Sequence, residues 1–560
     1  MLHFAVPCPF RGERPAGQHP AMSQLIRRSL FFAALSILAV PLLYNDLQAR
    51  ATCLVTTTAG DVQGLDVGPS CTFLGIPYAS PPTNALRWKP PQPPARWSTP
   101  FNATATPATC SNSENCLTLN VWVRNPLPVT PAPVIVWLHT GAFVATSGNF
   151  APHNGRRFAE ETGVIIVAPN YRLGPLGFLT HRALAAEDSL RPVSGNYGLM
   201  DQRFALQWVR DNIAAFGGDP DNVTIDGTSA GGHSVGLHLV SPASAGLFHR
   251  AIIQSGAPTI RWPTEAESFA QGDDFATALG CVNPATVLTC LRSKTQTQVQ
   301  AALTLGSEGV VEPAAGSGFW QPVIDGVELP DQPRRLFESG RFHRVPTIVG
   351  FMHNEGAGQF ITRSFASGVT LAQYEAWLST EFGPDASAVA TQYPASDFAL
   401  PFDAMAQVVG DGQFVCEGRR LASALSDFHT PVYYYSYDYV IDDVFPDRAI
   451  HGLEGNILFG NNYAQPQFPN HPLNAADRAL HAQMAGYWAR FAATGNPNTD
   501  DDFAVHWQSF KAPQGEGRGA PRYIVFDAKI RTDKRLRETA CDFWESYFFK
   551  SIVGKVPAWR

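Results

Sequence analysis

The chain is 560 residues long, 45% hydrophobic and 16% charged, a composition that excludes a disordered protein and supplies enough apolar side chains for a large core. Its net charge is −7 at pH 7 and it has no long basic run, which argues against nucleic acid and against an anionic membrane surface as partners.

The first element in chain order reads as an export signal. Arg27 and Arg28 precede the apolar run SLFFAALSILAV (29–40), and Ala49-Arg50-Ala51 follows as a small-x-small cleavage candidate. The run is too short to span a bilayer. A membrane anchor is the alternative reading, because Leu42, Leu43 and Tyr44 prolong the apolar character. Residues 1–21 are polar and rich in Pro and Gly, so Met22 competes with Met1 as the start. Of nine cysteines, Cys8 lies in the segment to be removed, and eight remain to pair in an oxidising compartment. Cys110/Cys116 and Cys281/Cys290 are near neighbours that could close small loops, leaving Cys53/Cys71 and Cys416/Cys541; connectivity is not set by sequence alone. None shows zinc-ligand spacing with histidines, so no metal is expected.

Further along, apolar β-rich runs alternate with helical patterns. The strands are PVIVWLH (133–139), GVIIVAPNY (163–171), NVTIDG (222–227), RAIIQSG (250–256) and VPTIVGF (345–351). GLMDQRFALQWVRDNIAAF (198–216) carries Leu199, Phe204, Leu206, Trp208, Val209 and Ile213 on a broad apolar face. Such alternation predicts an α/β fold, a mostly parallel central sheet flanked by helices, with nucleophiles at the carboxyl ends of strands. The Pro-rich stretch 80–97 predicts an irregular surface passage.

The stretch DGTSAGG (226–232) follows one of these strands and opens a helical pattern. Gly227-x-Ser229-x-Gly231 in that setting is a nucleophile elbow, a strained turn that exposes the serine hydroxyl. From Gly195 to Gly256, and on from FLGIPYASPP (73–82) to CDFW (541–544), the sequence closely resembles the type-B carboxylesterase and cholinesterase family of α/β-hydrolases. The resemblance implies one hydrolase domain over residues 52–560 after a 51-residue extension, ester hydrolysis without a cofactor, and a small-molecule ester as partner. It implies Ser229 as nucleophile, Glu355 in GFMHNEG as acid and His451 in AIHGLEGNILFG as base. Glu454 is the nearby competitor for the acid. A serine hydroxyl is a weak nucleophile until an imidazole takes its proton, and a carboxylate holds that imidazole in the right tautomer. Backbone donors for the oxyanion are implied at Gly141, Ala142 and Ala230, although the family's three glycines have become Thr140-Gly141-Ala142. By the same resemblance Ser255 lies close to the histidine, and Arg87 and Glu114 form a structural ion pair.

Departures from the family bear on substrate. Thr228 stands where the family usually has glutamate. The short segment between Cys110 and Cys116 has no room for the long loop that carries a choline-stacking tryptophan or a lid. Gly316, Gly318, Gly358 and Gln359 replace aromatic bulk on the acyl side, while Trp262 keeps a position facing the acyl group. Arg261 beside it suits a carboxylate on the acyl part. The expectation is a secreted or periplasmic serine carboxylesterase with a roomy acyl pocket. A lipase-like or cholinesterase-like esterase is the alternative within the class, and a non-catalytic cholinesterase-like adhesion protein the alternative outside it. Sequons at Asn102 and Asn222 have meaning only in a eukaryotic secretory pathway.

Overall fold

The computed structural model describes residues 53–554, apart from 303–319, 359–367, 442–443, 446, 464–469, 500–504 and 512–519, with backbone alone over 548–554. The export segment lies outside these residues. Among the described residues no helix is long and apolar enough to cross a membrane.

One large mixed sheet organises the hydrolase unit. Its strands are β1 (Leu65–Asp66), β2 (Ser70–Pro77), β3 (Thr118–Arg124), β4 (Ala132–Leu138), β5 (Ile165–Pro169), β6 (Gly218–Thr228), β7 (Arg250–Gln254), β8 (Thr347–Met352), β9 (Val432–Tyr437), β10 (Arg522–Phe526) and β11 (Arg531–Lys534). They lie in the order β11-β10-β9-β8-β7-β6-β4-β5-β3-β2-β1. From β5 to β10 every neighbouring pair is parallel. The outer pairs are antiparallel. Strands β5 and β8 are buried at every position, as parallel strands covered on both faces require. Five predicted runs became β4 to β8, with β6 starting earlier than its β-branched residues announce.

Helix α1 (Tyr197–Asn212) buries Leu199, Leu206, Trp208 and Val209, and Ile213 is buried just beyond its end; Phe204 is only half-buried. Asp201 of this helix is fully buried and held by the Arg172 guanidinium at 2.7 Å. Helices α2 (Ala230–Val240), α3 (Glu265–Ala278), α4 (Pro401–Gly410), α5 (Cys416–Asp427), α6 (Glu454–Phe459), α7 (Ala475–Thr494) and α8 (Glu538–Gly554) complete what concerns the site. Helix α2 packs on β6 and β7, and α7 packs on β4 and β6.

Four disulfides join Cys53–Cys71, Cys110–Cys116, Cys281–Cys290 and Cys416–Cys541. Arg87 pairs with Glu114 and also donates to the carbonyls of Leu291 and Lys294, so this ion pair ties the small Cys110–Cys116 loop to the body.

Candidate active site

Strand β6 ends at Thr228 and α2 begins at Ala230, which leaves Ser229 alone in the turn at φ 59° and ψ −120°. A non-glycine residue held there costs about 1–3 kcal/mol, which the surrounding packing has to offset. The glycines explain how the bend closes. A Cβ on Gly231 would stand 1.9 Å from the Leu138 carbonyl oxygen, and one on Gly227 would stand 2.5 Å from the Gly231 carbonyl carbon. Gly256 completes the fit, since its Cβ would meet the Ser229 carbonyl oxygen at 2.4 Å. Helix α2 therefore docks against the ends of β4 and β7 only because three side chains are missing. The Ser229 N–H donates to Gln254 O at 2.9 Å, and the serine stays slightly exposed.

Glu355 sits just past β8, in a short 3-10 turn over Glu355–Ala357. Its side chain is fully buried, and its Oε1 accepts the Met352 N–H at 2.8 Å. Its Oε2 accepts the His451 Nδ1–H at 2.5 Å. Glu355 and His451 are 96 residues apart, and a residue that sequence reasoning passed over brings them together. Asn354 bridges to Ile450; its N–H donates to Ala449 O at 3.0 Å and its Oδ1 accepts the Ala449 N–H at 3.1 Å. An asparagine beside an acid carries no signal of its own in one sequence.

Burial disfavours the His451 cation, but the charge of Glu355, its hydrogen bond and the nearby Glu454 outweigh that and hold the imidazole above its ordinary 6.5. The ring packs 5.0 Å from the Phe414 ring. Phe414 lies in a π-helical turn, Asp411–Val415, between α4 and α5, a local widening frequent at functional sites. Gly358 lies against the histidine: a Cβ there would be 3.0 Å from that of His451.

The turn expected to supply the oxyanion donors follows β4. Gly141 has φ 109°, and Ala142 and Phe143 take φ 52° and 61°, a left-handed run in which only the first residue is free of strain. The Gly141 carbonyl accepts from Val144 N and Ala145 N, each at 2.9 Å. The N–H groups of Gly141, Ala142 and Ala230 make no hydrogen bond among the described residues, so they are available to a ligand. His139 anchors the turn through its Nδ1 to Thr140 O at 2.8 Å, and its ring stacks on Tyr171 at 4.1 Å. Burial pushes the His139 pKa down to about 4, against its bond to Thr140, so it is neutral in use.

The residues expected at the substrate divide. Trp262 is almost wholly buried, its indole N–H donating to Pro258 O at 2.8 Å and its ring packing on Phe143 and His233. Thr228 departs from the expectation. It is fully buried and its hydroxyl donates to Gln254 Oε1 at 2.7 Å, because it points into the sheet's covered face and not at the ester. Arg261 departs as well: its guanidinium is taken by Glu267 at 2.5 Å, the same residue that closes the capping box of α3. The carboxylate that this arginine suits is supplied by its own chain. The Ser255 N–H donates to Gly350 O at 2.8 Å, and its Oγ is fully buried with no hydrogen-bond partner among the described residues. Gly316, Gly318 and Gln359 lie outside the described residues.

A profile of the carboxylesterase family matches residues 51–544. The acetylcholinesterase of Bungarus fasciatus is 31% identical over 571 aligned residues, covering 92% of this chain and 90% of that protein. The acetylcholinesterase of Electrophorus electricus is 32% identical, covering 88% of each. A solved PNB esterase structure matches at a TM-score of 0.75 and 31% identity, over 88% of this chain and 99% of its own. A profile that spans nearly all of the hydrolase unit, full-length relatives and a matching sheet lead to one conclusion: the chain belongs to the carboxylesterase family, is a carboxylic ester hydrolase and has the α/β-hydrolase fold.

Proposed function

We propose that this protein is an exported serine carboxylesterase that works through an acyl-enzyme, with Ser229 as nucleophile, His451 as general base and Glu355 as the carboxylate that orients it. The observation that carries the reading is the 2.5 Å contact from His451 Nδ1 to the buried Glu355, together with the strained turn that holds Ser229 at φ 59°. Ser229 Oγ adds to the ester carbonyl carbon while its proton passes to His451. The tetrahedral oxyanion is met by the N–H groups of Gly141, Ala142 and Ala230, each such donor contributing about 2.7–4 kcal/mol. Collapse breaks the ester C–O bond, and the leaving alkoxide takes the proton from His451. Water then repeats the sequence on the acyl-enzyme and frees the acid.

Export is supported by the four disulfides, which persist only in an oxidising compartment. We also infer that residues 1–51 are the segment removed and that residues 52–560 act as one hydrolase domain. A choline ester is disfavoured as substrate, since only five residues, none aromatic, lie between Cys110 and Cys116, and this loop supplies no aromatic cage for a quaternary ammonium.

The acyl pocket is proposed to be roomy, because Gly316 and Gly318 stand where relatives place aromatic bulk. A panel of p-nitrophenyl and natural esters, varied in acyl size, tests this with the purified protein. Gly318→Phe is expected to cut kcat/KM for a bulky acyl ester by about 10–200-fold and to leave acetate nearly unchanged. Equal losses on both would place Gly318 outside the pocket.

A further inference from the structure

Helix α4 does not run straight into α5. Between them Asp411–Val415 winds as a π-helical turn, closed by the Cys416 N–H donating to the Asp411 carbonyl. This turn packs against both members of the proposed acid–base pair. On the acid's side the approach is backbone to backbone. A Cβ on Gly356 would stand 2.0 Å from Ala406 O and 3.0 Å from Gly410 N, and one on Gly410 would stand 3.5 Å from the Glu355 Cβ. On the base's side the buried Phe414 brings its ring to 5.0 Å from the imidazole of His451, the two planes inclined at 56°. A phenyl ring has no atom that can take part in ester hydrolysis, so what it offers the histidine is shape.

The turn is anchored from its far side. The buried Asp411 accepts from the Tyr393 hydroxyl at 3.0 Å and from Gln407 Nε2 at 2.7 Å, with Arg537 Nε 3.6 Å away. The Tyr393 hydroxyl accepts in turn from the indole N–H of Trp544 on α8, at 2.7 Å. The same indole fills the space over the turn, since a Cβ on Gly412 would stand 3.0 Å from its ring. The Tyr434 hydroxyl donates to Val415 O at 3.0 Å, and Cys416, the next residue, is bonded to Cys541 of α8. In an α-helix, residues three apart share a face. The wider π-turn spreads Asp411 and Phe414 around the axis, so that one meets Tyr393 while the other reaches His451.

We propose that Phe414 is a positioning residue for His451, and that Asp411, Tyr393 and Trp544 form the buttress that holds it there. The proposal rests on His451 being the base. The bond from Nδ1 to Glu355 fixes one point of the imidazole and by itself leaves the ring able to pivot about that point. A rigid ring packed beside it removes the freedom and adds no polar group to compete for the proton. Such a support works only if its own rotamer is locked by packing, and the π-turn, pinned by Asp411 at its start and by the disulfide just past its end, supplies that. Misplacing a reacting group by about 1 Å can cost on the order of 10²-fold in rate.

The test uses the full-length enzyme on p-nitrophenyl acetate, each variant assayed well below its thermal midpoint. His451 would serve both acylation and deacylation, so loosening it slows both steps and lowers kcat at nearly constant KM, whereas losing a wall that touches substrate raises KM. Phe414→Ala is expected to lower kcat by about 10–100-fold with KM within about twofold. Phe414→Tyr keeps the ring and should stay within about threefold of the parent. Tyr393→Phe removes only the hydroxyl between Trp544 and Asp411, and should lower kcat by about 3–10-fold, again with KM constant. Where Phe414→Ala does not fold, Phe414→Leu takes its place, retaining volume but not the flat ring. A folded Ala or Leu variant with parental kcat, or one whose whole loss lies in KM, overturns the positioning role. A parental kcat in Tyr393→Phe overturns the buttress. His451→Gln separates this from the base reading: parental kcat there refutes the base itself, whereas an inactive His451→Gln beside an unaffected Phe414→Ala removes only the role of Phe414.

Discussion

Gly141→Ala is expected to disable the oxyanion turn while leaving the nucleophile in place. Gly141 has φ 109°, where an L-residue pays about 1–2 kcal/mol. The larger effect is steric. The new Cβ would stand 2.2 Å from the Ala145 carbonyl oxygen and 2.7 Å from its carbon. That carbonyl is backbone and cannot swing aside as a side chain would. The turn can open only by giving up the bonds from Val144 N and Ala145 N to Gly141 O, both 2.9 Å. Opening it misaims the N–H groups of Gly141 and Ala142 together. Losing one such donor costs about 2.7–4 kcal/mol, a fall in kcat of about 10²–10³-fold, and losing two costs more. The assay is kcat on p-nitrophenyl acetate beside a thermal melt, with Ala142→Gly as the control that removes strain at φ 52° and keeps its donor. A folded Gly141→Ala enzyme within about threefold of the parent kcat would refute the placement of the oxyanion hole.

Ser229→Ala is expected to fold and to retain only the residual of roughly 10³–10⁴ over water that binding and the oxyanion donors provide; an organophosphate should label Ser229 and no other residue, as mass spectrometry can report. The acid limb of kcat/KM should have its midpoint above 6.5, since Glu355 raises His451 and only the neutral imidazole accepts a proton; a midpoint below 6 would contradict the ion pair. The sign for stability is the reverse: the His451–Glu355 contribution is fully present below the unfolded 6.5 and is lost as pH rises through the folded value. Replacing Cys416 and Cys541 by serine opens a link across 125 residues and should cost about 5 kcal/mol by loop entropy, against about 2 for Cys110 and Cys116 across six, as urea denaturation can compare.

The elbow, the strands around it and the family were legible in the sequence because each is a local pattern: glycines at fixed offsets around Ser229, β-branched runs, and an amphipathic pattern over 198–216. Chain order and resemblance also pointed to Glu355 over Glu454 as the proposed acid. Glu355 reaches His451 Nδ1 from a turn that Asn354 clamps, whereas Glu454 heads its own short helix and is buried there. What depended on tertiary structure was direction. Thr228 reads as a neighbour of the substrate, yet strand alternation turns it into the sheet beside Gln254. Arg261 reads as a free guanidinium, yet a helix cap six residues on takes its charge. Which face a side chain occupies, and what meets it there, is decided by elements far apart in the chain, and no local spacing encodes that.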